Sequence, residues 1–195
     1  PLPTSTPTPT LTPTPTPPDT SFNFNVLLHG IGQGGDIANP SSSGNKNPLH
    51  KSVNIAIDVY NSQNQLILSK TGIINYASES GSFTSTVNMG NTLTSGFYTV
   101  KIKADKYLRA SIPGIISVVA GSQNTLKKVD LAVGDINNDN LMNILDYNLL
   151  MGCYSDLYPP KSCTNSQAAD LTDDGYVNQF DYNLFLRELT TKGGE

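Results

Sequence analysis

Two stretches of the chain repeat one another, and each sets oxygen-bearing side chains where a loop wrapped around a cation needs them. The first is Gly134-Asp135-Ile136-Asn137-Asn138-Asp139-Asn140-Leu141-Met142-Asn143-Ile144-Leu145-Asp146. The second, 35 residues on, runs from Asp170 through Thr172, Asp174, Gly175, Tyr176 and Asn178 to Asp181. Counting each opening Asp as position 1, oxygen donors fall at positions 1, 3, 5, 9 and 12, the spacing of a calcium loop. Two calcium ions are therefore expected. The first would be held by Asp135, Asn137, Asp139, the Leu141 carbonyl, Asn143 and Asp146. The second would take Asp170, Thr172, Asp174, the Tyr176 carbonyl, Asn178 and Asp181. Position 6 must accept a positive φ, which Gly175 does freely and Asn140 next best. Thr172 offers one neutral oxygen, so the second site is expected to be the weaker. Position 12 is Asp rather than Glu, and no entering helix precedes the first loop. A loop–helix pair fits better than two full EF-hands.

Each loop runs on into a common tail, Asp146-Tyr147-Asn148-Leu149 and Asp181-Tyr182-Asn183-Leu184. With these residues the segment from 134 to about 190 resembles the dockerin family, whose two loop-plus-helix repeats follow Asp-x-Asn-x-Asp-Gly-x-x-Asn-x-x-Asp. The departures are Asn140 for Gly and Thr172 for Asn. The resemblance implies a cohesin-like partner, recognised through loop positions 10 and 11, here Ile144, Leu145, Gln179 and Phe180. Leu145, Leu149, Leu150, Phe180, Leu184, Phe185 and Leu186 are spaced to pack the repeats against each other.

Residues 21–133 read as all-β. Phe22, Phe24 and Val26 alternate with Asn23 and Asn25, and Val53, Ile55, Ile57 and Val59 repeat the pattern. Strands are predicted at 66–68, 73–76, 83–89, 97–104, 115–119 and 126–133, separated by Asn61-Ser62-Gln63-Asn64, Glu79-Ser80-Gly81, Thr94-Ser95-Gly96 and Gly121-Ser122. Short strands at this spacing predict an antiparallel β-sandwich. Gly81-Ser82-Phe83, Leu93-Thr94-Ser95-Gly96-Phe97-Tyr98-Thr99-Val100 and Lys106-Tyr107-Leu108 resemble the carboxypeptidase-regulatory-like and other immunoglobulin-like accessory domains. A sandwich placed directly before a dockerin is similar to the X-module–dockerin pairs of surface-attachment systems. Ahead of it, residues 1–20 form a Thr/Pro-rich segment whose prolines forbid helix and sheet, so an extended spacer, plain or O-glycosylated, is expected.

Charge divides the chain at the same boundary. From Gly134 onward there are ten acids and three bases, a net of −7; from Asp19 to Val133 there are six acids and nine bases, a net of +3. An acidic tail with this spacing suggests a cation rather than nucleic acid, and the basic excess reads as a solvated surface. No apolar run is long enough to span a membrane. Cys153 and Cys163 bracket a loop: either they form a disulfide, which places the chain outside the reducing cell, or they are two free thiols. Between the first strands, His29-Gly30-Ile31-Gly32-Gln33-Gly34-Gly35-Asp36 reads as a structural loop, with a ligand or partner contact as the alternative. His29 and His50 have no recognisable Ser or Cys partner, and no nucleophile–base pair stands out.

Three regions are thus expected: a Thr/Pro linker or stalk at 1–20, an immunoglobulin-like sandwich at 21–133 and a small helical calcium-binding domain at 134–195. The function expected is a non-catalytic, calcium-stabilised docking module of a secreted, bacterial-type cell-surface protein. A structural or adhesive, filament-forming subunit and an accessory region of a glycan-degrading enzyme are the alternatives.

Overall fold

The computed structural model describes residues 17–157, 162–190 and 193–195. Residues 1–16 of the expected spacer lie outside these. Thr20, placed in the spacer, already belongs to the first strand. The strands are β1 (Thr20–Leu28), β2 (Ser52–Tyr60), β3 (Leu66–Ala77), β4 (Ser82–Gly90), β5 (Gly96–Ala104), β6 (Lys106–Tyr107), β7 (Ala110–Ser111), β8 (Ile116–Val118), β9 (Gln123–Thr125), β10 (Val129–Leu131) and β11 (Val133–Asp135). Among the described residues three helices follow: α1 (Ile144–Cys153), α2 (Ser166–Ala169) and α3 (Gln179–Glu188).

Nine strands form one curled sheet in the order β10-β1-β4-β3-β2-β5-β7, with β8 on β5 and β9 on β1. Period-2 alternation decides which side of each strand is buried. Phe22, Phe24 and Val26 of β1, Ile55, Ile57 and Val59 of β2, and Tyr98, Val100 and Ile102 of β5 all face the interior. Phe97 points the other way and is exposed. The strands predicted at 66–68 and 73–76 are one, because Ser69-Lys70-Thr71-Gly72 stay extended against β2. The sheet is not purely antiparallel: β9 and β10 both run parallel to β1.

The expected architecture, a β-sandwich followed by a separate helical calcium-binding dockerin-like domain, is corrected here. The β-rich half is consistent with a sandwich, but sheet dominates the whole described body and the helices are short, at 10, 4 and 10 residues. The first repeat begins inside a strand, since β11 pairs with β6. One hydrophobic core runs from Phe22 and Val100 through Leu131, Val133 and Ile136 to Leu150, Leu171, Leu184 and Phe185. Helices of this length are marginal on their own. Here they are stabilised by burying Leu150, Leu184 and Phe185 in that core. Among the described residues no helix is long and apolar enough to cross a membrane.

Candidate functional site

The two repeats fold alike because their polar residues bond to the chain that carries them. In the first, Asn143 caps α1: its Oδ1 accepts from Leu145 N at 2.7 Å, while Asp146 Oδ2 accepts from Asn143 N at 2.9 Å. Asp146 Oδ1 also accepts from Asn137 N. Asp139 accepts from Leu141 N and from the Asn137 side-chain amide. In the second repeat Asn178 caps α3 with the same reciprocal box through Asp181, and Asp181 Oδ1 accepts from both Thr172 N and Thr172 Oγ1. Asp170 accepts from Asp174 N and Gly175 N, and Asp174 accepts from Tyr176 N. Positive φ occurs at position 6 as expected, at Asn140 (67°) and Gly175 (92°). It also occurs at position 4, at Asn138 (63°) and Asp173 (55°), which only a residue able to bond its own backbone tolerates well.

This bonding replaces the expected metal chemistry. Among the described residues no group of three or more His, Cys, Asp or Glu side chains comes together to hold a metal ion. The expectation of two calcium ions, on Asp135, Asn137, Asp139, Leu141, Asn143 and Asp146 and on Asp170, Thr172, Asp174, Tyr176, Asn178 and Asp181, is therefore corrected. The carboxylates that would converge on an ion accept from loop amides instead, and the positive charge nearest the first of each set, Asp135 and Asp170, is a lysine. Lys103 Nζ donates to Asp135 Oδ2 at 2.6 Å, and Lys106 Nζ donates to the Asp170 carbonyl. Burial pushes the Asp170 carboxyl up to about 6, despite bonds from Gly175 and Asp174 and the charge of Lys106. Burial also raises Asp181 and Asp146 and lowers Lys106, against the attraction of Asp173, Asp170 and Asp181.

The charge asymmetry read along the chain is an internal seam. His50 bonds Asp173 twice, by its N–H at 2.7 Å and by Nδ1 at 2.5 Å, and Gln167 lies against its Nε2. His29 Nδ1 lies 2.9 Å from Oε1 of the fully buried Glu188, which also accepts from Ile37 N. Arg187 Nε donates to Asp36 at 2.7 Å. Asn45 donates to the carbonyls of Thr172 and Asp173, and Leu49 N to that of Asp173. Lys103 and Lys106 read as solvated, and the two histidines as isolated; all four face the acidic half. What hid them is their distance in sequence from their partners, 159 residues for His29 and Glu188. The Gly-rich loop is structural in the first instance: a Cβ at Gly34 would collide with the Leu28 carbonyl, and one at Gly44 with that of Gly30.

The expected partner residues are all exposed. Ile144 is 64%, Leu145 55% and Phe180 60% accessible, and Gln179 is exposed beside Phe180. Leu145 and Phe180, also candidates for helix packing, thus fall on the surface, while Tyr147 meets Tyr182 and Phe185 across the helix pair. Phe180, Asn183, Leu184 and Arg187 form one wall of a groove of about 400 Å³, with Ser42, Ser43 and Asn45 of the Gly-rich segment opposite. Cys153, at the end of α1, is bonded to Cys163, with their Cα atoms 5.3 Å apart. A bridge over so short a loop stabilises by about 2–3 kcal/mol.

No family model, no curated protein and no solved structure matches the chain. With no metal-holding group and only short helices among the described residues, on a sheet-dominated body, the dockerin resemblance, and with it the X-module–dockerin arrangement, is overturned.

Proposed function

We propose that the chain is a non-catalytic extracellular docking module that presents apolar side chains on the first turns of α1 and α3 to a protein partner. The observation that carries this is the exposure of Ile144, Leu145 and Phe180 at helix starts whose capping boxes hold them rigid. Large apolar side chains displayed on fixed backbone are what interface anchors require. The groove beside Phe180 supplies a recess, with polar groups on its rim. The disulfide supports the extracellular setting. In this reading the sheet is the base on which the helices are fixed, through the core and the charged seam.

A cohesin-like protein is the partner to try first, standing for a separate protein rather than a second copy of the chain. Binding to immobilised full chain should fall at least tenfold in Phe180→Asp and in Ile144→Asp/Leu145→Asp, without a change in melting temperature. Unchanged binding in all of these variants would sink the proposal.

A further inference from the structure

Strand β3 is twelve residues long but is paired on both sides only at its end. It lies against β2 along its length, whereas β4 joins it only at Asn75↔Thr84, Tyr76↔Phe83 and Ala77↔Ser82. Among the described residues nothing pairs with the second edge from Leu66 to Ile74. The direction of the free backbone groups follows from one bond. Tyr76 donates its N–H to Lys51 O at 2.8 Å, toward β2, and the register then runs unbroken from Ser52↔Asn75 to Val59↔Leu68. Pairs alternate along an antiparallel ladder. Ile74, Gly72, Lys70 and Leu68 therefore bond to β2, while Ser69, Thr71 and Ile73 turn their N–H and C=O groups to the open edge.

An edge of this length is a template for another strand unless something blocks it. Here one charge stands guard, Lys70, exposed and on the side that alternates with Ser69 and Thr71. The rest of the edge is complementary to itself. The hydroxyls of Ser69 and Thr71 sit at its middle, Ile73 lies 53% exposed at one end, and Leu66 and Ile67 lie 54% and 47% exposed at the other. We infer that a second copy of this chain adds to the sheet here, β3 against β3, antiparallel about a two-fold axis through Lys70. That register sets Ser69 opposite the second copy's Thr71; the Ser69 hydroxyl donates to Asp58 at 2.8 Å within its own chain, which leaves it to accept from the Thr71 hydroxyl in each half of the interface. It sets Ile73 of each copy beside Leu66 and Ile67 of the other. A two-fold interface requires such self-complementarity, and cross-strand apolar and hydroxyl pairs stabilise it. The two Lys70 ammonium groups then oppose each other and hold the association weak.

Sedimentation equilibrium of the full chain from micromolar to millimolar concentration tests this. The wild type should show a reversible monomer–dimer equilibrium. Thr71→Pro should be monomeric yet melt normally, since it removes only an edge N–H, a change tolerated on edge strands. Lys70→Thr should tighten the dimer by about twofold to fivefold, and added salt should tighten the wild type. Lys70→Glu mixed with wild type should give heterodimers above the statistical fraction. The inference is overturned if wild type and Lys70→Thr are monomeric throughout, or if a dimer survives Thr71→Pro. It is equally overturned if the dimer is lost in Phe180→Asp, which would move the interface to α3.

Discussion

The two repeats have the same caps and the same sequence of turns, yet they are tied to the sheet in different ways. The first is built around a buried charge pair, Lys103 reaching from β5 to the fully buried Asp135, beside the β11–β6 pairing and the Arg109 N–H donated to Asn140 Oδ1 at 2.8 Å. Its position-4 residue, Asn138, touches the sheet side only through a long bond to Asp105. The second repeat is held at position 4. Asp173 takes His50 through two bonds, its carbonyl takes Leu49 N and Asn45, and Lys106 bonds the neighbouring Asp170 carbonyl. Equivalent loops can thus be anchored around one buried charge pair or by a spread of bonds at position 4, and the two should fail differently when cut.

The sharpest way to break this comparison is to remove the concentrated anchor. Lys103→Met leaves Asp135 buried and unpaired, and should cost about 3–5 kcal/mol in chemical denaturation. A cost near that of an exposed ion pair would show that Asp135 finds water or another donor. Next, Asp173→Ala should cost about 1–3 kcal/mol, less than Lys103→Met because Asn45 and Leu49 still reach backbone carbonyls. The order of these two variants is the test; a reversal would mean that the second repeat is the brittle one.

The caps should be equal. Asn143→Ala and Asn178→Ala each remove the same bond at the same place, and each should cost about 1 kcal/mol in the same measurement. A clear inequality would show that the sheet contacts distort one cap. The smallest effect concerns acid. Burial pushes the Asp36 carboxyl up, but the Arg187 and Asn39 bonds outweigh it and hold it below the usual carboxylate value of 3.8. A carboxyl with a lowered folded value stabilises fully above its unfolded value and loses that contribution as pH falls through the folded one. Arg187→Ala should therefore flatten the loss of stability below about pH 4, by less than about 1 kcal/mol because Arg187 is partly exposed.

Much of the fold was legible because period-2 alternation is local. Ile55, Ile57 and Val59 declare the buried side of β2 without help from the rest of the chain. The caps are equally local, Asn143 with Asp146 and Asn178 with Asp181 lying three residues apart, but those residues read as calcium ligands in the sequence. The spacing that signalled a metal also serves turns and caps, since Asx side chains at odd positions can bond backbone amides as well as a cation. Which use prevails depends on what faces the carboxylates, and that is set by Lys103 and Lys106, more than 30 residues upstream of the loops they serve. The seam through His29, His50 and Glu188 was hidden by the same distance. Strand β3 was split in the sequence because Lys70 and Gly72 interrupt the apolar pattern, and these interruptions mark the edge.

The Cys153–Cys163 bridge has a mechanical consequence. When the molecule is pulled from its two ends, tension passes through the sulfur–sulfur bond and bypasses the backbone inside the ring. The bridge spans a sequence separation of 10 with Cα atoms 5.3 Å apart. At about 3.3–3.6 Å per extended residue, reduction should release about 3 nm of hidden contour length. In single-molecule stretching that increment separates an intact bridge from a broken one without any change in the force that unfolds the sheet.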